Sequence, residues 1–169
     1  THLRGQTLGE LDSKIKQYQQ AWREAGHAGM GHVTLMVHTY VAETDEEALQ
    51  EVKEPFKLYL GTSLSLINGI REEIAQQGDN PQLDSDAVLE IAFKRYYKSA
   101  ALFGSSERCA SMVRKLMALG VAELACLIDF GVANDKVLHS LHRLNDLKQQ
   151  VELALQKQSE QAQAPASSL

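Results

Sequence analysis

The chain has 169 residues, with 17 Lys and Arg against 22 Asp and Glu, a formal net charge of −5 at pH 7. That balance gives no long-range attraction to phosphate backbones, which speaks against a nucleic-acid partner. Hydrophobic residues at 44% and charged residues at 23% are ordinary for a folded domain with its own core and too apolar for a disordered chain.

From Leu8 to Ala25 the apolar positions Leu8, Leu11, Ile15, Tyr18 and Trp22 recur every three or four residues, which predicts an amphipathic helix ending near Gly26. The segment 33–41, Val33-Thr-Leu-Met-Val-His-Thr-Tyr-Val41, is rich in β-branched residues and too dense in apolar side chains for a half-exposed sheet, so it predicts a buried strand. Thr44-Asp-Glu-Glu47 has capping-box spacing and opens a helix through Ala48, Val52, Phe56, Tyr59 and Leu60, within which Pro55 is expected to bend or interrupt the rod. Gln76 to Gln82 is polar and rich in breakers and reads as a surface loop.

Asp84 or Ser85 can cap a helix through Leu89, Phe93 and Tyr97, and Ser105 another through Met112, Val113, Leu116 and Met117 that stops at Gly120. The run 121–128, Val121-Ala-Glu-Leu-Ala-Cys-Leu-Ile128, predicts a second buried strand, and Asp135 opens a last helix through Leu138, Leu141, Leu144, Leu147 and Val151. Residues 158–169, rich in Gln, Ala and Ser, are expected to be a disordered tail after a folded unit spanning 1–157.

Strand, helix, strand, helix is the α/β alternation of a parallel sheet flanked by helices. Two strands cannot complete a sheet. A helix, Leu119-Gly120 and then a strand is how one unit of a (β/α)8 barrel reads, and such a barrel needs about 250 residues. The chain is therefore expected to be the carboxy-terminal portion of something larger, or a piece that needs a partner. Its uncovered strand edges and helix faces predict self-association. Cys109 and Cys126 stand in no disulfide framework or zinc spacing, which suits a reducing, cytoplasmic setting, and no apolar run approaches the length of a membrane span.

Several segments resemble the bacterial luciferase-like flavin monooxygenases, particularly the branch associated with natural-product assembly lines. They are Thr1 to Gln6, Gly31 to Ala48 with its His-Thr-Tyr-Val-Ala-Glu-Thr-Asp-Glu-Glu core, Leu102 to Cys109, and Leu119 to Gly131. The resemblance implies the carboxy-terminal part of a TIM-like barrel, with Thr1 at the end of an inner strand and about half the barrel in a preceding amino-terminal half. It implies reduced FMN, or a deazaflavin in its place, with O2 oxidising a small-molecule or carrier-bound organic substrate, and a separate reductase supplying the flavin. It also implies that much of the flavin phosphate contact lies in that other half, so the present residues do not make a complete site.

His38 is the sharpest candidate for chemistry. Val33, Leu35, Val37 and Val41 share one strand parity and Thr34, Met36, His38 and Tyr40 the other, so the aliphatic set should face the helices while His38 and Tyr40 point inward to the carboxyl ends of the strands. The resemblance places an active-site histidine of alkanesulfonate monooxygenases at His38. Met36 stands where those enzymes carry an arginine, which argues against a sulfonate or similar anion. The competing reading of His38 is a core histidine satisfied by a neighbour. His2, Asp129 and Phe130 fall at proposed strand ends where they could border a flavin or substrate, or simply brace loops. Ser105 begins a helix whose free amides suit a phosphate, although ordinary capping explains it too. His139 and His142 have i, i+3 spacing without a third ligand, Tyr96 and Tyr97 could line an entrance or pack a helix, and the Asp129-Phe130-Gly131 triplet lacks every companion motif of a kinase. The alternative to an enzyme is a non-catalytic interaction or structural module derived from a barrel half.

Overall fold

A computed structural model describes residues 1–3, 5–63, 68–69, 72 and 84–163. The loop expected over Gln76 to Gln82 lies outside the described residues. In chain order the elements are α1 (Leu8–Glu24), β1 (Thr34–Ala42), α2 (Asp45–Gly61), α3 (Ser85–Ser99), β2 (Leu102–Ser105), α4 (Ser106–Ala118), β3 (Glu123–Leu127) and α5 (Asn134–Gln163).

The starts of α1 to α4 follow the sequence closely because each has an oxygen-bearing residue to satisfy its free amides, whereas α5 begins after Ala133. Thr44 accepts from the Glu47 N–H at 3.0 Å, Asp84 from the Ala87 N–H at 2.7 Å and Ser105 from the Arg108 N–H at 3.3 Å. Thr7 and Glu10 close a complete capping box on α1. At α2 the return bond differs from the expected box, since the Glu47 carboxylate accepts from the Glu43 N–H at 2.9 Å. Pro55 does not interrupt α2, which continues unbroken to Gly61. The last helix runs to Gln163, so helix covers the first part of the segment expected to be a tail.

The sheet holds three parallel strands in the order β2-β1-β3, one more than the sequence predicts. β2 is only Leu-Phe-Gly-Ser, too short to show alternation. β3 pairs with Thr34 to His38 on one side of β1, and β2 pairs with Thr39 to Ala42 on the other. His2 bridges Met36 in parallel on the edge that β3 leaves free, the Met36 N–H donating to the Thr1 carbonyl at 2.8 Å. Past the end of β3, the Val41 N–H is taken up by Ser140 Oγ of α5 at 2.8 Å.

Two cores lie on opposite faces of this sheet. Leu35, Val37 and Val41 pack with Leu11 and Ile15 of α1, Cys109 and Leu116 of α4, and Leu147 of α5. Tyr40 and Ala42 pack with Val52 and Phe56 of α2, Phe93 and Tyr96 of α3, and Phe103 and Phe130. The crossover from β1 to β2 thus runs over one face and the return from β2 to β3 over the other, as two right-handed crossovers in opposite directions require. This corrects the expectation that helices cover the aliphatic face alone. The described residues form an open sheet sandwiched by helices, whereas in a barrel arc consecutive strands are neighbours and one face is free of helices. Among these residues no helix is long and apolar enough to cross a membrane.

Candidate functional site

β1 places His38 in the middle of the sheet on the face shared with α2 and α3, opposite Leu127 of β3. Alternation makes this the same face as Tyr40 and Ala42, so the parity read from sequence holds while its surroundings differ. His38 as a whole is 7% exposed. Its ring centroid lies 4.8 Å from Phe56, 5.0 Å from Tyr59, 5.9 Å from Phe130 and 6.3 Å from Tyr96, all in edge-on geometry. Edge-on contact sets the positive rim of one ring against the negative face of the next, the favoured arrangement for aromatic pairs.

The helical spacing of α2 explains the enclosure, since Phe56 and Tyr59 are three residues apart and fall on one face. Their rings stack at 5.7 Å. Phe56 also meets Phe93, Tyr96, Phe103 and Phe130 at 5.1 to 6.4 Å. Of the four rings around His38, Tyr59 is half-buried and the other three are buried. Proton exchange between this imidazole and a bound molecule requires one wall of the shell to move, and Tyr59 is the wall nearest solvent.

The other residues singled out from sequence scatter around this shell. Tyr40 is buried beside it, and burial, with Glu51 and Glu47 nearby, pushes its phenol above the usual range, so it stays protonated. Phe130 is a wall of the shell, while Asp129 is exposed. Met36 is 42% exposed and sits between the amino-terminal segment and β3, which corrects the expectation of an inward position. His2 is exposed on that same segment. Tyr96 and Tyr97 separate in role, the first a wall of the His38 shell and the second the platform for a cation.

Ser105 belongs to a second polar cluster that the sequence did not reveal. Its N–H donates to Asp45 Oδ1 at 2.7 Å, and the Arg108 guanidinium lies 3.9 Å from the other Asp45 oxygen. Arg108 also donates to the Phe103 carbonyl at 3.1 Å and the Tyr97 carbonyl at 2.7 Å, and its guanidinium sits 4.5 Å over the Tyr97 ring. Burial works against the Asp45 charge, but the Ser105 bonds and Arg108 outweigh it and hold the carboxyl below its ordinary range. Asp45 is visible in sequence only as a first-turn acid of α2, and nothing in the spacing ties it to a residue sixty positions away.

A flavin does not fit these residues as they are arranged. The start of α4, the one place read from sequence as a phosphate seat, already receives the Asp45 carboxylate, so a phosphate would meet a like charge there. The His38 face is closed by four rings. Cys109 offers no thiolate, because burial drives its thiol up to about 12. Among the described residues no three His, Cys, Asp or Glu side chains gather as a metal site, and His139 and His142 stand exposed on α5.

No protein-family model matches the chain, and no curated protein matches it. Among solved structures it is similar to the oxygenating constituent of 3,6-diketocamphane monooxygenase, a type II Baeyer-Villiger monooxygenase from the CAM plasmid of Pseudomonas putida, in complex with FMN. The sequences are 21% identical, the TM-score is 0.49, and the alignment covers 73% of this chain and 34% of that one. The chain thus spans about a third of that protein's length, and a likeness of this degree carries neither fold nor activity across.

Proposed function

We propose that this chain is a section of a luciferase-like flavin-dependent monooxygenase, in which reduced FMN and O2 oxidise an organic substrate and protein beyond these residues completes the site. One observation supports the reading. Three of the four segments that resemble that family, around Gly31 to Ala48, Leu102 to Cys109 and Leu119 to Gly131, are far apart in sequence, yet they supply β1, β2 and β3 of one parallel sheet, with β1 paired to both of the others. The carboxyl ends of parallel strands are where α/β proteins place their sites.

Because the residues present do not fit a flavin, the reading assigns the flavin contacts to protein preceding these residues, and a separate reductase supplies the cofactor. His38 and its shell are then the part of the site this chain contributes, with the imidazole holding or moving a proton for the substrate once Tyr59 swings aside. The mass of the natural polypeptide in its source cells, combined with flavin titration, tests this. A species well above 18.7 kDa that binds reduced FMN tightly, against weak binding by the 169-residue chain, is the expected result. A natural product of this size that binds neither FMN nor a deazaflavin overturns it. That outcome would favour the interaction module, for which the closed His38 shell is the supporting observation.

A further inference from the structure

The end of α3, β2 and the start of α4 form a basic island on an acidic chain. Residues 94–115 carry Lys94, Arg95, Lys98, Arg108, Arg114 and Lys115 against a single acid, Glu107, while the whole chain has a net charge of −5. Three of these cations, Lys98, Arg108 and Lys115, line one pocket of about 280 Å3. Arg108, Ser111, Met112 and Lys115 follow one another at i, i+3, i+4 and i+7, so one face of α4 fronts the pocket, and Lys98 lines it from the last turn of α3. The helix dipole alone accounts for a lysine in each last turn. It does not account for both lysines lining the same pocket as Arg108. β2 is an edge strand, yet its Phe103 carbonyl is already taken by Arg108 at 3.1 Å, so this edge is not open to a further strand there. A second bond to the Tyr97 carbonyl at 2.7 Å, and stacking 4.5 Å over the Tyr97 ring, hold the guanidinium in place.

We propose that this pocket binds a phosphate monoester carrying a short apolar chain. Charge selects the headgroup. Lys98, Lys115 and Arg108 supply three positive charges, and Asp45, 3.9 Å from Arg108, offsets one of them. The remainder of about +2 is matched by a phosphate monoester, at about −1.5 to −2 near pH 7, and only half matched by a carboxylate. The lysine ammoniums meet phosphate oxygens as point charges on flexible stems, and the Ser111 hydroxyl has a proton to donate. Cys109 adds no competing negative charge, since burial drives its thiol up to about 12. Ala101, Leu102 and Met112 give the chain an apolar wall. A volume just under that of ordinary ligand clefts suits a small ester and not a tricyclic ring. This binding needs no flavin and no protein beyond these residues, so its test stands apart from that of the monooxygenase reading.

Isothermal titration calorimetry of the 169-residue chain with hexyl phosphate tests the proposal, with inorganic phosphate, hexanoate and hexanol as comparisons. The expected result is saturable one-site binding, tighter for hexyl phosphate than for inorganic phosphate or hexanoate and absent for hexanol. Lys98→Gln and Lys115→Gln should each weaken it about threefold to tenfold, as suits a charged contact at a partly exposed site, with unchanged far-ultraviolet circular dichroism. Arg114→Gln removes the same charge from the same helix outside the pocket and should leave binding as it was. No saturable binding in the millimolar range, hexanoate bound as tightly as hexyl phosphate, or lysine variants that bind like the wild type would each overturn the proposal. Equal losses at Lys98, Lys115 and Arg114 would overturn it too, by showing attraction to the basic island at large.

Discussion

Replacing Phe56 tests the aromatic layer that closes over His38. Phe56 is fully buried and its ring meets those of His38, Tyr59, Phe93, Tyr96, Phe103 and Phe130, the closest at 4.8 Å. Truncating a core phenylalanine to alanine costs about 3–5 kcal/mol in transfer and cavity terms. The upper half of that range applies here, because each aromatic pair adds about 0.5–1.5 kcal/mol beyond area and six rings cannot all collapse into one hole. At roughly 2–4 °C per kcal/mol for a chain of this size, Phe56→Ala should lower the melting temperature by about 8–20 °C. Phe56→Leu keeps most of the apolar volume and should lose about half as much. The control is Leu58→Ala two residues on, where the side chain is 75% exposed and the change should stay within about 0.5 kcal/mol. Thermal melts and urea titration of the three variants decide it. Equal losses at Phe56 and Leu58 would mean that α2 does not lay this face on the sheet and that His38 is not enclosed.

Three further outcomes follow from the same geometry. Val37→Ala, on the face packed by α1, α4 and α5, should cost roughly 1–3 kcal/mol in chemical denaturation, while His38→Ala in the natural polypeptide should lower substrate turnover per folded molecule by about 10²- to 10⁴-fold, beyond what its loss of ring packing explains; normal turnover per folded molecule would contradict the role given to His38. Asp45 titrates below its unfolded-state value, so its contribution is present above about pH 3.9 and fades as the pH falls through the lower folded-state value; the stability gap between the wild type and Asp45→Asn, measured by melts, should be full at neutral pH and shrink in strong acid, and a gap that widens in acid would contradict the Ser105 and Arg108 contacts. Gly104→Ala should cost about 1–3 kcal/mol, because Gly104 has φ +146° and a methyl there would lie 2.8 Å from Asp45 Oδ1 and collide with Arg108; an unchanged melting temperature would mean the β2–α4 corner is built differently.

What could be read from the sequence was local. Thr44, Asp84 and Ser105 announce helix starts because a capping oxygen sits beside the amides it serves, and the two main strands stand out as dense runs of β-branched and apolar residues. The parity of β1 was legible as well, since alternation follows directly from strand geometry. Its meaning was not, because which face carries helices depends on where β2 and β3 lie, and β2 is four residues with a glycine in the middle. The His38 shell draws on α2, α3 and the segment after β3, and the Asp45–Ser105–Arg108 cluster joins residues sixty positions apart. Neither arrangement leaves a spacing in the sequence. Pro55 shows the opposite limit, a local rule overridden when the helix around it is held by Val52, Phe56 and Leu60 in the core.

The central claim is that this chain works within a reduced-flavin monooxygenase, and the most direct measurement is O2 consumption by the natural polypeptide that contains it, supplied with chemically reduced FMN in a stopped-flow oxygen assay. The account predicts a course distinct from that of free reduced FMN in rate and absorbance, altered again by His38→Ala. Oxidation of reduced FMN at the same rate and with the same spectra whether or not the protein is present would contradict it.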